Sequence, residues 1–339
     1  MYVRCPTRYR SDVRLFLAVL AATGLAPMHL GSGDDVQPRD TVSVIESVTP
    51  AMPAGVRVDV VGGDTFMRLR ADGHAASVPG YEGEKYIEMT ADGTVRENTA
   101  STTSKLNVNR FGNADVPDET GDVSWRTISH NGTAMWHDHR IHWMSPSTPA
   151  VIDAEGTVQH WTLTLVVDGT SHTVAGTLYL RGHHSVLWWF TGLVGAMTAA
   201  FLAVRSRKRF YASLTWVAAL GTVTGLLQWL SLPSAARVTP LMLMFGIGAL
   251  IAANVAMVLH RHTDRGPQME WIASSMSAGS GAAMLLAAWM SWQQVQSAYV
   301  PMIGPAWVAR ITVTTLLGAG VVAVVDGVLR AVRVQPNPD

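Results

Sequence analysis

Five apolar stretches follow His184 and constrain the fold more than any other feature: residues 186–204, 211–230, 239–259, 271–292 and 307–329. Each is close to the ~20 residues an α-helix needs to cross ~30 Å of hydrocarbon. Charged residues make up only 15% of the 339, against roughly 25% in soluble domains, which points the same way. The fourth stretch is diluted by Ser274, Ser275, Ser277 and Ser280. Its small residues, Ala278, Gly279 and Gly281 among them, would let a neighbouring helix approach closely, so this span is expected inside a bundle.

The loops give an orientation. Arg205, Arg207, Lys208 and Arg209 follow the first stretch, Arg261 and Arg265 the third, and Arg330 and Arg333 the fifth, whereas the opposite loops hold only Arg237 and Arg310. The positive-inside rule puts the arginine-rich ends and the tail, residues 331–339, in the cytoplasm, and everything before the first span outside. The leader agrees. Residues 15–26, LFLAVLAATGLA, are too short to span and follow a basic segment, so residues 1–30 are expected to be a secretory signal peptide; an uncleaved anchor is the rival reading.

Between leader and spans, residues 40–182 read as an all-β domain. The pairs Asp72-Gly73, Asp92-Gly93 and Asp168-Gly169, with Gly62-Gly63, separate short alternating runs and suit tight hairpins. In QHWTLTLVVDGTSHTVAGTLYL, Trp161, Leu163, Leu165 and Val167 alternate before the turn, and Val174, Leu178 and Leu180 after it. The fold class is therefore an antiparallel β-sandwich followed by an all-α membrane domain of five helices, residues 184–330. Residues 99–120 are polar and expected to form a long loop.

Within the β domain the stretch MWHDHRIHWM stands out. His137 and His139 would share one face of a strand, where two imidazoles could reach one ion. His142 is out of phase and could join them only if a bulge or turn falls around Arg140 and Ile141. These three are the candidate metal ligands. The donors suit copper(II) or zinc, and with Cys5 the single cysteine no thiolate site can form. The bland alternative is that the rings pack or lie at the membrane surface, hydrogen-bonded to headgroups, backbone or Asp138. His183 and His184 mark the membrane entry rather than a site.

Other chemistry is thin. Met242, Met244, Met257, Met276, Met284 and Met290 read as ordinary apolar filling of helices. Asp326 with Arg330 at i+4 reads as a local ion pair, and Asn254 as interhelical glue. No GxSxG, HExxH or phosphate-cradling glycine loop occurs in a fitting context, so no catalytic residue is assigned and the protein is not expected to be an enzyme. With 25 basic and 25 acidic residues, the net charge of zero offers nothing to nucleic acid.

The stretches VPGYEGEKYIEMTADGTVREN, AMWHDHRIHWMSP and WTLTLVVDGTSHTVAGTLYL, in this order, resemble a family of actinobacterial membrane proteins, with WHDHRIHW the most specific element. The likeness covers residues 55–182 and the layout of the rest. More loosely, the architecture is similar to exported copper-handling proteins in which a CopC-like β domain accompanies a CopD-like membrane domain. That similarity implies copper, while the donor type leaves zinc as the second metal and the spans make the lipid bilayer a partner. The chain departs from it in two ways: His29 does not clearly follow a cleavage site, and the spans contain no histidines. An envelope protein bound by the β domain is the alternative partner. The sequence sets no oligomeric state.

Overall fold

The computed structural model describes residues 36–108, 110, 122–145, 147–234, 237, 239–263 and 266–334. The leader, residues 1–30, the C-terminal five residues and much of the polar stretch after Val108 lie outside these.

Among the described residues ten strands form before the spans: β1 (Thr41–Thr49), β2 (Val56–Val61), β3 (Phe66–Ala71), β4 (Ala76–Pro79), β5 (Lys85–Met89), β6 (Val95–Asn98), β7 (Trp125–Ser129), β8 (Thr133–Trp136), β9 (Thr157–Val167) and β10 (Thr170–Leu180). All pairings are antiparallel, in a seven-stranded sheet ordered β1-β10-β9-β4-β5-β6-β7 and a three-stranded sheet ordered β2-β3-β8. Side chains from both sheets meet in one core. Met67, Leu69 and Trp136 of the small sheet pack with Ile87, Leu163, Leu165 and Leu178 of the large one, as in a sandwich.

The alternation in β9 and β10 is as expected: Trp161, Leu163, Leu165, Val167, Val174 and Leu178 are buried. Asp168 and Gly169 both take positive φ, 48° and 78°, the tight-hairpin geometry that Asp-Gly favours. Asp72-Gly73 does something else, because β3 and β4 belong to different sheets and that turn carries the chain across the sandwich. The expected loop 99–120 is interrupted by a short helix, α1 (Thr102–Leu106), capped by Ser101.

Five helices are long and apolar enough to cross a membrane among the described residues: α2 (Trp188–Arg205), α3 (Arg207–Ser231), α4 (Leu241–His260), α5 (Pro267–Met290) and α6 (Ala306–Arg333). The layout is that of a multi-pass membrane protein. α6 is the most buried, packing on α2, α3 and α5. In α5, Ser274, Ser277 and Ser280 are buried and turn into the bundle. Gly281 and Gly320 meet backbone to backbone, leaving no room for a Cβ on either; Gly279, by contrast, faces open space. The basic stretch after α2 is not a loop, since Ser206 alone separates α2 from α3. Asn254 donates to the Leu250 carbonyl of its own helix at 2.8 Å and glues no neighbour in this bond. Asp326 binds more than Arg330. Arg207, at the start of α3, grips it with both guanidinium nitrogens, the second at 2.7 Å, so the pair ties two helices.

One pole of the sandwich sits on the helices. Arg39 and Tyr299 exchange backbone hydrogen bonds, and the Ala298 N–H donates to Asp40. Val36, Val61, Phe66 and Met135 close over Leu232, the residue after α3, and Tyr299. Gly63, at φ 81° in the β2–β3 turn, lies so near the Tyr299 ring that a Cβ there would sit 3.0 Å from it.

Candidate metal centre

The histidines follow directly from this pole. β8 ends at Trp136, so the expectation that His137 and His139 share a strand face does not hold; the chain turns at His139 and Arg140. Asp138 makes the turn. Its carboxylate accepts from the Arg140 N–H at 3.1 Å, from the Arg140 guanidinium at 2.7 Å and from the Trp136 indole at 3.0 Å, while its carbonyl accepts from the Ile141 N–H. A short polar side chain that bonds the backbone two residues ahead is a common turn-maker. Ile141 is fully buried and pins the turn to the sandwich core.

The turn brings His142 round, as only a turn here could. Its ring centroid lies 5.2 Å from that of His139 and 6.0 Å from that of His137, with edge-on interplanar angles of 75° and 80°. At metal–nitrogen distances of about 2.0 Å, two imidazoles on one tetrahedral ion hold their centroids roughly 5 to 5.5 Å apart. His139 and His142 already have that spacing, and His137 stands slightly farther off. Among the described residues no three His, Cys, Asp or Glu side chains converge as a finished ligand set.

Each ring is held differently. His137 is fully buried and tilts against Phe66 with centroids 4.4 Å apart. His139 is half-buried and stacks loosely on Tyr81, whose hydroxyl accepts from the His139 N–H at 2.9 Å. His142 is 1% exposed, and its Nε2 lies 2.9 Å from the Arg110 carbonyl. A carbonyl only accepts, so Nε2 carries the proton and Nδ1 the lone pair. That Nδ1 is buried with no hydrogen-bond partner among the described residues. Burial first, and then the Arg110 charge, push the His142 pKa down to about 3, so the ring stays neutral and its lone pair available to a metal.

Around the turn lies a polar shell with no signal in the sequence. Arg110 makes a bidentate contact with buried Asp64, at 3.1 and 2.6 Å, and Asp64 also accepts from the Thr41 hydroxyl at 2.6 Å. Arg39 lies 3.8 Å from Asp64. Tyr81 donates to Asn107, and the Arg140 guanidinium lies over the Tyr81 ring. Asp64 follows Gly62-Gly63 and reads as a turn residue; its partner is 46 positions away. The remaining β-domain histidines are engaged elsewhere: His74 with Asp168, His130 with Thr94, His160 with Thr177, His172 with the Pro50 carbonyl and His183 with Asp40. The His184 N–H donates to the Gln296 carbonyl at the membrane entry.

No family model, curated protein or solved structure matches the chain.

Proposed function

We propose that the protein is a membrane-anchored, extracytoplasmic metal-handling protein whose β domain binds one ion, copper in preference to zinc, at His137, His139 and His142. The observation that carries this reading is the turn that sets the His142 ring 5.2 Å from His139 with a buried, unprotonated Nδ1. Imidazole nitrogen donors suit copper(II) and zinc, and copper binds such donors more tightly. The half-exposed His139 provides a route of entry. The outside placement rests on charge. Arg205, Arg207, Lys208, Arg209, Arg261, Arg330 and Arg333 all fall at helix ends remote from the β domain, the distribution of a cytoplasmic face. The resemblance to actinobacterial membrane proteins and to CopC-like and CopD-like pairs supports the same layout.

A second reading has its own observation. His137 is wholly buried on Phe66, and the turn is fastened through Arg110 and Asp64 towards Tyr299, as in a rigid accessory subunit that binds an envelope protein. Titration of the full chain in nanodiscs with copper(II) and with zinc separates the two. The full chain is used because Leu232 and Tyr299 complete the apolar cluster at this pole of the domain. The metal reading expects about one equivalent bound, lost in the His139→Ala, His142→Gln double variant with the melting temperature of the apo protein little changed. A wild type that takes up neither metal, with a double variant that melts early, would leave only the accessory role.

A further inference from the structure

The ten residues 143–152, WMSPSTPAVI, hold no charge and leave the histidine turn at the pole that sits on the helices. Three of them present large apolar side chains outward: Met144 is 42% exposed, Val151 48% and Ile152 69%. They are not loosely displayed. Trp143 packs against the sandwich core and donates its indole N–H to the Ser147 carbonyl at 2.7 Å. At the other end the Ile152 N–H donates to the Thr157 carbonyl at 2.6 Å, and Asp153 accepts from the Thr157 N–H at 2.9 Å.

The position of these ends decides what the apolar group faces. Gly156 accepts from the Leu180 N–H, and Arg181 donates to Glu155, so the loop closes against the end of β10. From there the chain runs through residues 181–187 into α2, and the apolar side chains around its start also face outward, Val186 at 62% and Leu187 at 64% just before it and Phe190 at 59% in its first turn. The loop thus ends on the same side of the sandwich as the exposed start of the first span, with Asp153, Glu155 and Arg181 as the charges that border it. We infer that Met144, Val151 and Ile152 dip into the interfacial layer of the bilayer beside α2, as a third attachment of the β domain after the chain itself and the Tyr299 contact. Uncharged apolar groups at a membrane surface bury to a depth of about 5–10 Å, at the boundary of headgroups and acyl chains. The inference is independent of metal binding.

The test places a nitroxide at Ile152→Cys in the full chain with Cys5→Ser, in nanodiscs of phosphatidylcholine and phosphatidylglycerol, and compares collisions with oxygen and with a water-soluble nickel chelate. Ser171→Cys, exposed beside the Asp168-Gly169 hairpin at the opposite pole, is the reference. The expected result is an oxygen-to-nickel accessibility ratio several-fold higher at residue 152 than at 171, repeated at Val151→Cys should the first variant fold poorly. Equal ratios at the two poles would overturn the inference and leave the patch free for a protein partner. A label shielded from both reagents would overturn it too, because it would be packed against protein.

Discussion

His142 reaches across 32 residues to donate its Nε2–H to the Arg110 carbonyl at 2.9 Å, and this bond settles which ring nitrogen is left with a lone pair. The same burial that creates the bond makes protonation of the ring costly.

A pH dependence of stability follows, and its sign is fixed. An unfolded imidazole takes up its proton near 6.5, whereas His142 in the folded chain does so only at about 3. Between those values the unfolded state binds the extra proton, so stability rises with pH and is lost as pH falls, by about 1.4 kcal/mol per unit from this group. The apparent melting temperature of the apo chain should drop between pH 6.5 and 5 by an amount equivalent to roughly 2 kcal/mol. His142→Gln keeps an N–H for the Arg110 carbonyl and does not titrate, so its curve should be flatter. Parallel curves would refute the assignment.

Asp64→Asn should be severe. The carboxylate is wholly buried, and its loss strands the Arg110 guanidinium, 4% exposed, without its counter-ion. Breaking a buried pair in this way costs about 3–5 kcal/mol. Asp59→Asn is the control: Asp59 is 49% exposed in its pair with Arg68, and such a pair is worth at most about 1 kcal/mol. Thermal melts of the two variants should differ by roughly 4–20 °C, with Asp64→Asn the lower. Equal melting points would show that the buried network contributes little.

Asp326→Asn tests the membrane half. It removes the Arg207 ion pair that holds the start of α3 to the end of α6, together with the Arg330 pair within α6. The expected outcome is a lower melting temperature of the helical domain with metal uptake by the β domain unchanged, because the histidines lie at the opposite end of the bundle. Loss of metal binding by a well-folded variant would mean that the two halves are coupled.

Reporter fusions test the orientation. A fusion after Leu180 should report an external location, and fusions after Lys208 or Arg333 a cytoplasmic one, from the basic residues at those helix ends. An external reporter at Lys208 would invert the topology and move the histidine turn into the cytoplasm.

The sequence by itself determined the two-part architecture, because the signals involved are local. Runs of about 20 apolar residues have no soluble use at that density. Period-two alternation in β9 and β10, with Asp168-Gly169 between them, specifies a hairpin whatever surrounds it. The close packing of α5 was legible in part, since small residues let a neighbouring helix approach: Gly281 meets Gly320, whereas Gly279 faces open space. The Asp72-Gly73 turn misled, because a turn signal says that the chain reverses and not which sheet receives it.

Tertiary structure alone decided the site. Sequence spacing paired His137 with His139, on the assumption of a continuous strand; Asp138 ends the strand instead, by bonding the Arg140 N–H, and the His142 ring comes edge-on to both of the others. The partners that set its proton, its charge and its burial come from Arg110 and, behind that, Asp64, while Tyr299 of the helical domain closes the same pole. Such contacts carry no periodicity. They depend on where separate elements come to rest when the shared core forms, and at that point an ordinary turn aspartate and a loop arginine become the surroundings of a neutral, buried imidazole.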